Sequence, residues 1–319
     1  MSIQEVKNNL PKELIEILEE IYTIGELDSI YRSFDRGRYT SFRINTLMGN
    51  YKEVSEELIR KKIKFNNYHY IKNAFTSKDS KENIFRQLEC YEEGKIYLQN
   101  ISSMIPVCFL DLKKDVNVLD MCAAPGSKST QIADISNNRC TILANEINEI
   151  RRKRLEHNIE KQGANSVIVL QSDGRALGKR LKGYFDRVLL DTPCSGEGTI
   201  HLQKNKKLIN WSEKKVREYS KNQKKLIDSG YLALKENGIL VYSTCTLNPY
   251  ENEEVISYAL NKYRDLRVEE ITFEIKNKKL GLTKFRDKFY GEEMRKTLRI
   301  IPNEYCEGFF VAKLIKASE

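Results

Sequence analysis

The chain has 319 residues, and its 40% hydrophobic content is enough for one large buried core with a smaller flanking unit. Because 54 Lys and Arg outnumber 45 Asp and Glu, the formal net charge is +9, which favours a polyanion such as nucleic acid as partner. The charged N-terminus, MSIQEVKNNLPKELIEILEE, contains no apolar run long enough for a signal peptide or a membrane helix. We therefore expect a cytoplasmic, monomeric protein with no membrane partner.

Seven cysteines and three histidines limit the metal and disulfide chemistry that is available. The number of cysteines is odd and no two of them form a CxxC pair, so neither a disulfide framework nor a zinc cluster is supported. We expect no bound metal. We interpret most of the cysteines as small buried apolar side chains.

The predicted elements divide the chain near residue 95. In residues 1–95 two amphipathic helical runs flank RYTSFRINTL, a predicted strand, which indicates a small α+β domain of RNA-binding type. In residues 96–319 charged helical stretches alternate with the apolar runs VNVLDM, TILANEI, SVIVLQSD, FDRVLLD and GILVYSTC. This alternation predicts an α/β fold with a doubly wound, mostly parallel sheet of Rossmann-like type.

Two helices and one more strand complete the second part. A helix is predicted from a Ser212 cap to Gly238. In NPYENEE we expect a helix start capped by Asn248, with three acids facing the helix dipole. The dense apolar run in EGFFVAKLIK near the end of the chain predicts an additional strand of the sheet.

A loop of small residues follows the first strand of the alternating part, in VLDMCAAPGSK. Ligands of open α/β sheets bind beyond the carboxyl ends of the strands, and small residues let the main chain approach a ligand closely. The spacing fits neither GxGxxG nor GxxxxGK[ST], so the sequence does not predict a phosphate-binding loop. The predicted contact residues are Cys122, Ala123, Ala124, Pro125 and Gly126. A tight turn without a ligand is the alternative.

Acidic residues follow the next two strands. Glu146 is placed to accept hydrogen bonds from both ribose hydroxyls, and Asp173 is placed to accept one from an adenine amine. The alternatives are a solvated loop acid for Glu146 and a turn-forming residue for Asp173. Together with Arg151, these residues predict an adenosine pocket without a pyrophosphate site, which favours S-adenosylmethionine over a dinucleotide.

Two cysteine motifs, DTPCSGEGT and YSTCTLNPYENEE, each stand where an apolar run gives way to turn residues. With VLDMCAAPGSK, IYLQNISSMIP and EGFFVAKL, they resemble the Nop/Sun family of RNA cytosine-5 methyltransferases over about residues 95–315. The resemblance implies a class I methyltransferase fold that uses S-adenosylmethionine. The chain departs from the pattern at Thr192, where alanine is common.

The resemblance also implies roles for four residues. Cys245 is the nucleophile, and Cys194 assists proton removal and product release. Asp191 holds the target cytosine, and Lys128 supplies positive charge; both are also expected near the cofactor. From the sequence itself, a helix start just after Cys245 would increase its thiolate fraction. The alternatives are structural cysteines and a solvated lysine.

A basic stretch at 201–225 is the predicted RNA contact, because it carries nine Lys and Arg against two Glu beside Trp211 and Tyr219. A solvated helix face is the alternative for 214–225. We expect RNA cytosine-5 methylation, with ribosomal RNA ahead of tRNA as substrate. The rival readings are a methyltransferase of a protein or small molecule, and a non-catalytic RNA-binding protein on the same fold.

Overall fold

The computed structural model describes residues 1–203 and 211–318. Its N-terminal elements are α1 (Ile3–Asn8), α2 (Lys12–Ile21), α3 (Ile24–Arg36), β1 (Thr40–Ile44), α4 (Tyr51–Arg60), β2 (Asn66–Asn67), β3 (Ala74–Ser77), α5 (Glu82–Phe85), α6 (Glu89–Glu92) and β4 (Ile96–Leu98). The four strands form an antiparallel sheet in the order β2-β3-β1-β4. The strand predicted in RYTSFRINTL is confirmed as β1.

The rest of the chain forms a larger α/β unit. Its elements are α7 (Ile101–Met104), β5 (Asn117–Asp120), α8 (Ser127–Ile135), β6 (Thr141–Asn145), α9 (Glu149–Lys161), β7 (Val167–Leu170), α10 (Gly174–Arg180), β8 (Phe185–Asp191), α11 (Glu213–Ala233), β9 (Leu234–Thr244), α12 (Glu253–Lys262), β10 (Leu266–Glu269), β11 (Lys278–Leu280), β12 (Lys284–Phe285), β13 (Lys288–Phe289), β14 (Leu298–Ile300) and β15 (Phe309–Lys316). Short 3-10 helices lie at Pro106–Phe109, Glu197–Thr199 and Glu292–Lys296.

The main sheet has nine strands, in the order β11-β14-β15-β9-β8-β5-β6-β7 with β10 beside β15. Strands β9, β8, β5, β6 and β7 run parallel, and β15 closes this parallel part in the antiparallel sense. The five predicted strands and the additional strand near the end of the chain are confirmed. The mostly parallel α/β fold is confirmed as well.

The N-terminal helices and the main sheet share a hydrophobic core. Leu14, Ile17 and Phe34 belong to the same buried cluster as Leu190 of β8 and Phe310 of β15. The four-stranded sheet has a core of its own, which includes Phe42, Val54, Leu58, Phe75 and Phe85. The division into domains at 1–95 and 96–319 stays a prediction.

Helix α11 begins as predicted and ends earlier than predicted. The Ser212 side chain accepts a hydrogen bond from the Lys215 amide at 3.3 Å, which caps the first turn. The helix ends at Ala233, not at Gly238, because Leu234 pairs with Phe185 of β8 and starts β9. The spacing of Leu234 fits an apolar helix face and a buried strand equally well, so the sequence pattern did not separate the two.

The predicted helix start at Asn248 is wrong. Asn248 instead caps a separate turn at 249–252, where its Oδ1 accepts from the Tyr250 amide at 3.1 Å and its Nδ2 donates to Glu197 at 3.0 Å; helix α12 begins only at Glu253. The helix start that was expected to act on Cys245 therefore does not adjoin it. The three acids also have other partners than the helix dipole, as described below.

Several expectations concern the chain as a whole. Within residues 1–203 and 211–318, no helix is long and apolar enough to cross a membrane, and no cluster of three metal-ligating side chains occurs. All seven cysteines are free. Only Cys90, Cys140 and Cys306 are buried, so the interpretation of most cysteines as buried apolar groups is wrong for the other four.

Candidate active site

Four loops meet at one edge of the main sheet. Strands β5, β6, β8 and β9 end at Asp120, Asn145, Asp191 and Thr244, and the residues around these ends line two neighbouring cavities. Strand β5 lies between β6 and β8, so the chain leaves β5 towards one side and later returns on the other. Open α/β sheets bind their ligands at such a switch point.

The loop after β5, residues 122–126, is shaped by a glycine and held by helix α9. Gly126 has φ of 106°, a conformation that favours glycine, and a Cβ there would lie 3.0 Å from Leu155 Cδ1. Arg151 of α9 donates from Nη2 to the Ala124 carbonyl at 2.9 Å. The loop main chain is thereby fixed beside both cavities.

The first cavity, of about 240 Å³, lies between the ends of β5, β6 and β7. Its lining includes Met121, Cys122, Asn145, Glu146, Arg151 and Asp173. Glu146 is only 3% exposed; its carboxylate accepts from the Asn148 amide at 2.9 Å and lies 3.3 Å from Arg151 Nη1. This burial argues against the alternative of a solvated loop acid.

Asp173 forms the turn that was the alternative for it, and it also lines the first cavity. Strand β7 ends at Leu170, so Asp173 lies beyond the strand and caps α10, where it accepts from the Arg175 amide at 2.9 Å. The Arg175 side chain lies 2.7 Å from the carboxylate, and its hydrogen bond lowers the pKa of Asp173. The carboxylate is therefore a turn-forming group that also lines the first cavity.

The second cavity, of about 200 Å³, contains most of the predicted catalytic residues. Its lining includes Ser103, Asp120, Cys122, Ala123, Ala124, Pro125, Lys128, Asp191, Cys245, Glu307 and Phe309. Cys122 lines both cavities, which places them side by side. Lys128 and Asp191, expected near the cofactor as well, line the second cavity.

The two cysteines of the motifs lie in contact. Their Sγ atoms are 3.2 Å apart, although the residues lie on different loops, after β8 and after β9. Cys245 lines the second cavity, whereas Cys194 is not among the described residues that do so. The hydrogen bond with Cys245, and then burial, raise the pKa of Cys194 well above its usual value. Either sulfur can act as the donor in this contact.

Lys128 and Asp191 form an ion pair beside the cysteines. The Lys128 Nζ lies 2.6 Å from the Asp191 carboxylate and donates to Ser103 Oγ at 2.7 Å. The Ser243 hydroxyl donates to the other Asp191 oxygen at 2.7 Å. Lys128 is 6% exposed, which argues against a solvated lysine. A pair held in this way presents fixed charge to the cavity without reorganisation.

Two buried glutamates, which the sequence analysis missed as site residues, tie the cysteine loops together. Glu251 accepts from the Ser195 amide at 3.0 Å, next to Cys194. Glu197 accepts from the Thr246 hydroxyl at 3.0 Å, next to Cys245, and from Trp211 Nε1 at 2.8 Å. Both glutamates stand in motifs that were considered, SGEGT and NPYENEE. Glutamates in turn-rich loops are normally solvated, so nothing in the sequence indicated that these two are buried.

The other acids of NPYENEE also bind side chains. Glu253 forms a fully buried pair with Arg299 at 2.5 Å, and Glu254 lies 2.8 Å from Lys224 and 3.0 Å from Lys288. Glu253 and Glu254 lie in the first turn of α12, as expected, whereas Glu251 precedes the helix, so the expectation is wrong for Glu251. The acidic motif fixes the loop after β9 in place.

Two further acids of the second cavity were missed. Burial raises the pKa of Asp120, at the end of β5, to about 6, and its carboxylate accepts from Ser129 Oγ at 2.6 Å. Burial also raises the pKa of Glu307. Asp120 stands in the quoted VLDM motif and Glu307 in EGFF, so the motifs contained the signal. Their burial depends on neighbouring loops that the sequence pattern does not reveal.

The Glu251 carboxyl gives a testable pH dependence of stability. Burial raises its pKa from 4.5 to about 8, so between these values the folded protein binds a proton that the unfolded chain lacks. The free energy of unfolding therefore falls as pH rises through this window, by up to about 1.4 kcal/mol per pH unit. We expect the free energy of unfolding of Glu251→Gln, measured with urea at pH 6, 7 and 8, to depend less on pH than that of the wild type.

A suitable control is Glu274→Gln, because the Glu274 side chain is 86% exposed. We expect this variant to keep the wild-type slope. Equal slopes in wild type and Glu251→Gln would contradict the assignment of the proton to Glu251.

Comparison with known proteins identifies the family to which the chain belongs. A family model described as 16S rRNA methyltransferase RsmB/F matches residues 107–315. The chain belongs to the RsmB/F (Nop/Sun) family of RNA cytosine-5 methyltransferases. Membership of this family makes it an S-adenosylmethionine-dependent RNA methyltransferase with a class I fold, as the motifs predicted.

Individual relatives differ in the RNA that their names specify. The tRNA (cytosine(49)-C(5))-methyltransferase of Pyrococcus abyssi is 40% identical over 86% of this chain and 88% of its own length. Ribosomal RNA small subunit methyltransferase F of Shewanella sp. (strain MR-7) is 37% identical over 94% of this chain, which spans only 61% of that relative. A solved methyltransferase homolog from Pyrococcus horikoshii has a TM-score of 0.77 at 29% identity, covering 96% of this chain and 100% of its own.

The residues of the first cavity suit the cofactor of this family. S-adenosylmethionine supplies a methyl group on a sulfonium when it is bound. Glu146 and Asp173 offer acceptors for ribose hydroxyls and an adenine amine, and the buried Asn145 Oδ1 has no partner within the described part of the chain. Cys122 lines both cavities, so a cofactor in the first would lie next to the second.

Cofactor affinity tests this pocket. We expect Glu146→Ala to weaken S-adenosylmethionine binding by about tenfold or more, since it removes a buried charged acceptor. Asp173→Ala should also weaken binding. Calorimetry with Glu149→Ala as control measures the effect, because the Glu149 side chain is 61% exposed and pairs only with Lys153 among the described residues. If Glu146→Ala and Asp173→Ala both bind S-adenosylmethionine with wild-type affinity, the first cavity is not the cofactor site.

Proposed function

We propose that this protein forms 5-methylcytosine in structured RNA through a covalent adduct between Cys245 and the target base. The observation that carries the proposal is the contact of two cysteines at 3.2 Å, with Cys245 facing the cavity that Lys128 and Asp191 also line. Cytosine methylation at carbon 5 needs an attacking thiolate and a way to release it. The pair of cysteines supplies both.

The chemistry follows from the weak nucleophilicity of carbon 5. Addition of the Cys245 thiolate to carbon 6 makes carbon 5 part of an enamine, which then attacks the methyl group of the sulfonium. A carbon–carbon bond forms while the methyl–sulfur bond breaks. A base from the solvent, assisted by Cys194, then takes the carbon 5 proton; the ring double bond re-forms while the carbon 6–sulfur bond breaks and the Cys245 thiolate leaves.

Cys194 acts on the attacking and leaving sulfur. Its Sγ lies 3.2 Å from Cys245 Sγ, so in this proposal its thiol stabilises negative charge there when the thiolate departs. Cys194 also assists the loss of the carbon 5 proton. The division of roles is the one that the family resemblance implied.

Asp191 and Lys128 hold the base and balance its charge. In this proposal the Asp191 carboxylate accepts from the exocyclic amine of cytosine and interacts with the ring nitrogen. Lys128, at 2.6 Å, offsets the negative charge that develops on the ring as the thiolate adds. Burial of Lys128 strengthens these interactions relative to water, while Asp191 stays partly exposed to the cavity.

Exposed lysines on helix α11 are the proposed phosphate contacts. Lys214, Lys215, Lys221 and Lys225 are exposed, and none has a carboxylate within salt-bridge distance among the described residues. Lys224, in contrast, forms an ion pair with Glu254, so its ammonium group is not free to contact a phosphate. The lysines at 204, 206 and 207, part of the predicted basic stretch, lie outside the described residues.

The proposal also includes the class of RNA that is methylated and the location of the protein in the cell. Ribosomal RNA ahead of tRNA stays the expectation, supported by the description of the family model and by the Shewanella relative, while the Pyrococcus relative is named for tRNA. A cytoplasmic location and a monomeric state also stay predictions. The target base must leave its stack to meet Cys245, so a loop or single-stranded site is expected.

The proposed function is tested by methyl transfer from labelled S-adenosylmethionine to total RNA, separated into ribosomal RNA and tRNA. Base-resolution mapping then identifies the modified position. We expect label in 5-methylcytosine of one RNA class. Label in protein or small molecules alone, or cofactor-independent RNA binding without any label, would favour the two rival functions instead.

A further inference from the structure

A third cavity, of about 650 Å³, lies outside the site described above. It is bounded by the N-terminal sheet on one side and by residues 275–277 and 303–305 on the other. The four tyrosines of its wall are Tyr39, Tyr68, Tyr70 and Tyr305. The proposed chemistry of the cysteines uses none of them.

The tyrosine rings form a connected group, in which Tyr68 is buried and Tyr70 is exposed. Tyr39 and Tyr305 meet edge-on at 5.1 Å and 87°, and Tyr68 and Tyr70 meet edge-on at 5.4 Å and 61°. Tyr68 and Tyr305 connect the two pairs at 6.1 Å. In an edge-on pair, the ring that contributes its edge keeps its faces free of that partner. Tyr70 is 43% exposed and offers the most accessible ring.

Amides and cations surround these rings. Asn66 and Asn67, on the exposed edge strand β2, line the cavity, as do Lys78 and Lys276. Neither lysine has a carboxylate within salt-bridge distance in residues 1–203 and 211–318. Aromatic rings, side-chain amides and available ammonium groups together match the base, the base edge and the phosphate of an unstacked nucleotide.

The third cavity is joined to the catalytic one by a single segment. Glu304 and Tyr305 line the third cavity, and Glu307 and Phe309 line the cavity of Cys245. The chain from Tyr305 to Phe309 spans at most about 14 Å, so the two cavities lie within reach of one short stretch of nucleic acid.

The same segment is anchored from both sides. The Tyr39 amide donates to the Glu304 carbonyl at 2.8 Å. Arg38 donates to the Cys306 carbonyl at 3.1 Å and to the Gly198 carbonyl at 2.7 Å. The wall of the third cavity is thereby fixed to the loop that carries Cys194.

We propose that the third cavity binds an unstacked nucleotide of the RNA substrate near the target cytosine, with its base against Tyr70 and its phosphate near Lys78 and Lys276. The inference rests on the proposed function, because it takes RNA as the ligand. It adds a second nucleotide site, which would set the position of the strand relative to Cys245. A subsite of this kind selects unpaired over paired RNA, since a base in a duplex cannot present its face.

Binding of a synthetic single-stranded oligoribonucleotide of mixed sequence, with 5-iodouridine at random positions, tests the inference. We expect Tyr70→Ala to lower its affinity at least about fivefold, because stacking on one aromatic ring is lost. Tyr70→Phe, which keeps the ring, should bind as wild type does. Photocrosslinks mapped by mass spectrometry should include tyrosines of the third cavity.

The matched control is Tyr184→Ala. Tyr184 is 53% exposed and precedes β8, at the sheet edge opposite the cysteines. Equal affinity of Tyr70→Ala and Tyr184→Ala, or crosslinks confined to other surfaces, would overturn the inference and leave a protein or small-molecule occupant for the cavity. Because binding and crosslinking need no methyl transfer, an inactive wild-type enzyme that still crosslinks here would refute the proposed function and not this site.

Discussion

Cys245→Ala is expected to abolish both methyl transfer and covalent attachment to RNA. The reason is that no adduct forms without the attacking thiolate, so carbon 5 never becomes an enamine. Cys194→Ala should instead accumulate an RNA adduct that survives denaturing electrophoresis, since the adduct forms and breaks down slowly. The first variant should thus form no adduct and the second should accumulate it, although the two replaced cysteines lie 3.2 Å apart (Sγ to Sγ) in the wild type.

Denaturing gels with labelled RNA and methylation assays with labelled cofactor measure both effects. Cys108→Ala serves as the control, because Cys108 is an exposed cysteine that lines neither of the two site cavities. A trapped adduct in Cys245→Ala would reverse the two roles. Full methylation by Cys245→Ala would refute the covalent mechanism altogether.

Asp191→Asn should lower kcat by about 10²–10³-fold, the usual loss when one preorganised charged contact is removed from a reacting group. The variant keeps the shape of the side chain while it removes the charge that Lys128 faces at 2.6 Å. The adduct with Cys245 should form slowly as well, since the base is poorly held before the thiolate adds. Single-turnover methylation and the adduct gel separate these steps.

The same strand offers a matched control at its other end. Asp186 of β8 pairs with Lys235 at 2.9 Å, away from the cavities. Asp186→Asn removes a comparable ion pair and should change kcat by less than threefold, roughly the effect of a surface pair. Similar losses in both variants would mean that Asp191 acts through stability and not through the substrate.

The sequence was sufficient for six of the nine strands of the main sheet and for the loops at the edge that holds the site; β10, β11 and β14 were missed. Each predicted strand is an apolar run with turn residues behind it, and in a parallel sheet the carboxyl ends of neighbouring strands meet. The positions of Glu146, Asp191 and Cys245 at one edge follow from this rule alone. The chemistry of the two cysteines needed the family resemblance, because a single buried cysteine has no distinctive pattern.

Tertiary partners decided what the sequence analysis missed. Helix α11 ends early because Leu234 pairs with Phe185, and α12 begins only after a separate turn that Asn248, bound to Glu197, caps. Local propensity contains no information about either partner. The burial of Glu251 depends in the same way on Ser195, which lies on another loop.

The tyrosines of the third cavity were also missed, because they are far apart in the sequence and meet only in the folded protein. Tyr39, Tyr68 and Tyr305 come from three distant segments of the chain, and no local motif joins them. The contact of Tyr39 with Tyr305 at 5.1 Å exists only after the N-terminal sheet has packed on the segment before β15. Sites of this kind become visible only in the folded protein.

The contact between Cys194 and Cys245 also ties the activity to the redox state of the surroundings. A two-electron oxidant such as hydrogen peroxide would join thiols at 3.2 Å into a disulfide, with two protons and two electrons passing to the peroxide to give water. The attacking group would then be lost until a reductant cleaves the bond. We therefore expect methylation activity to fall after treatment with peroxide and to return after treatment with a thiol reductant.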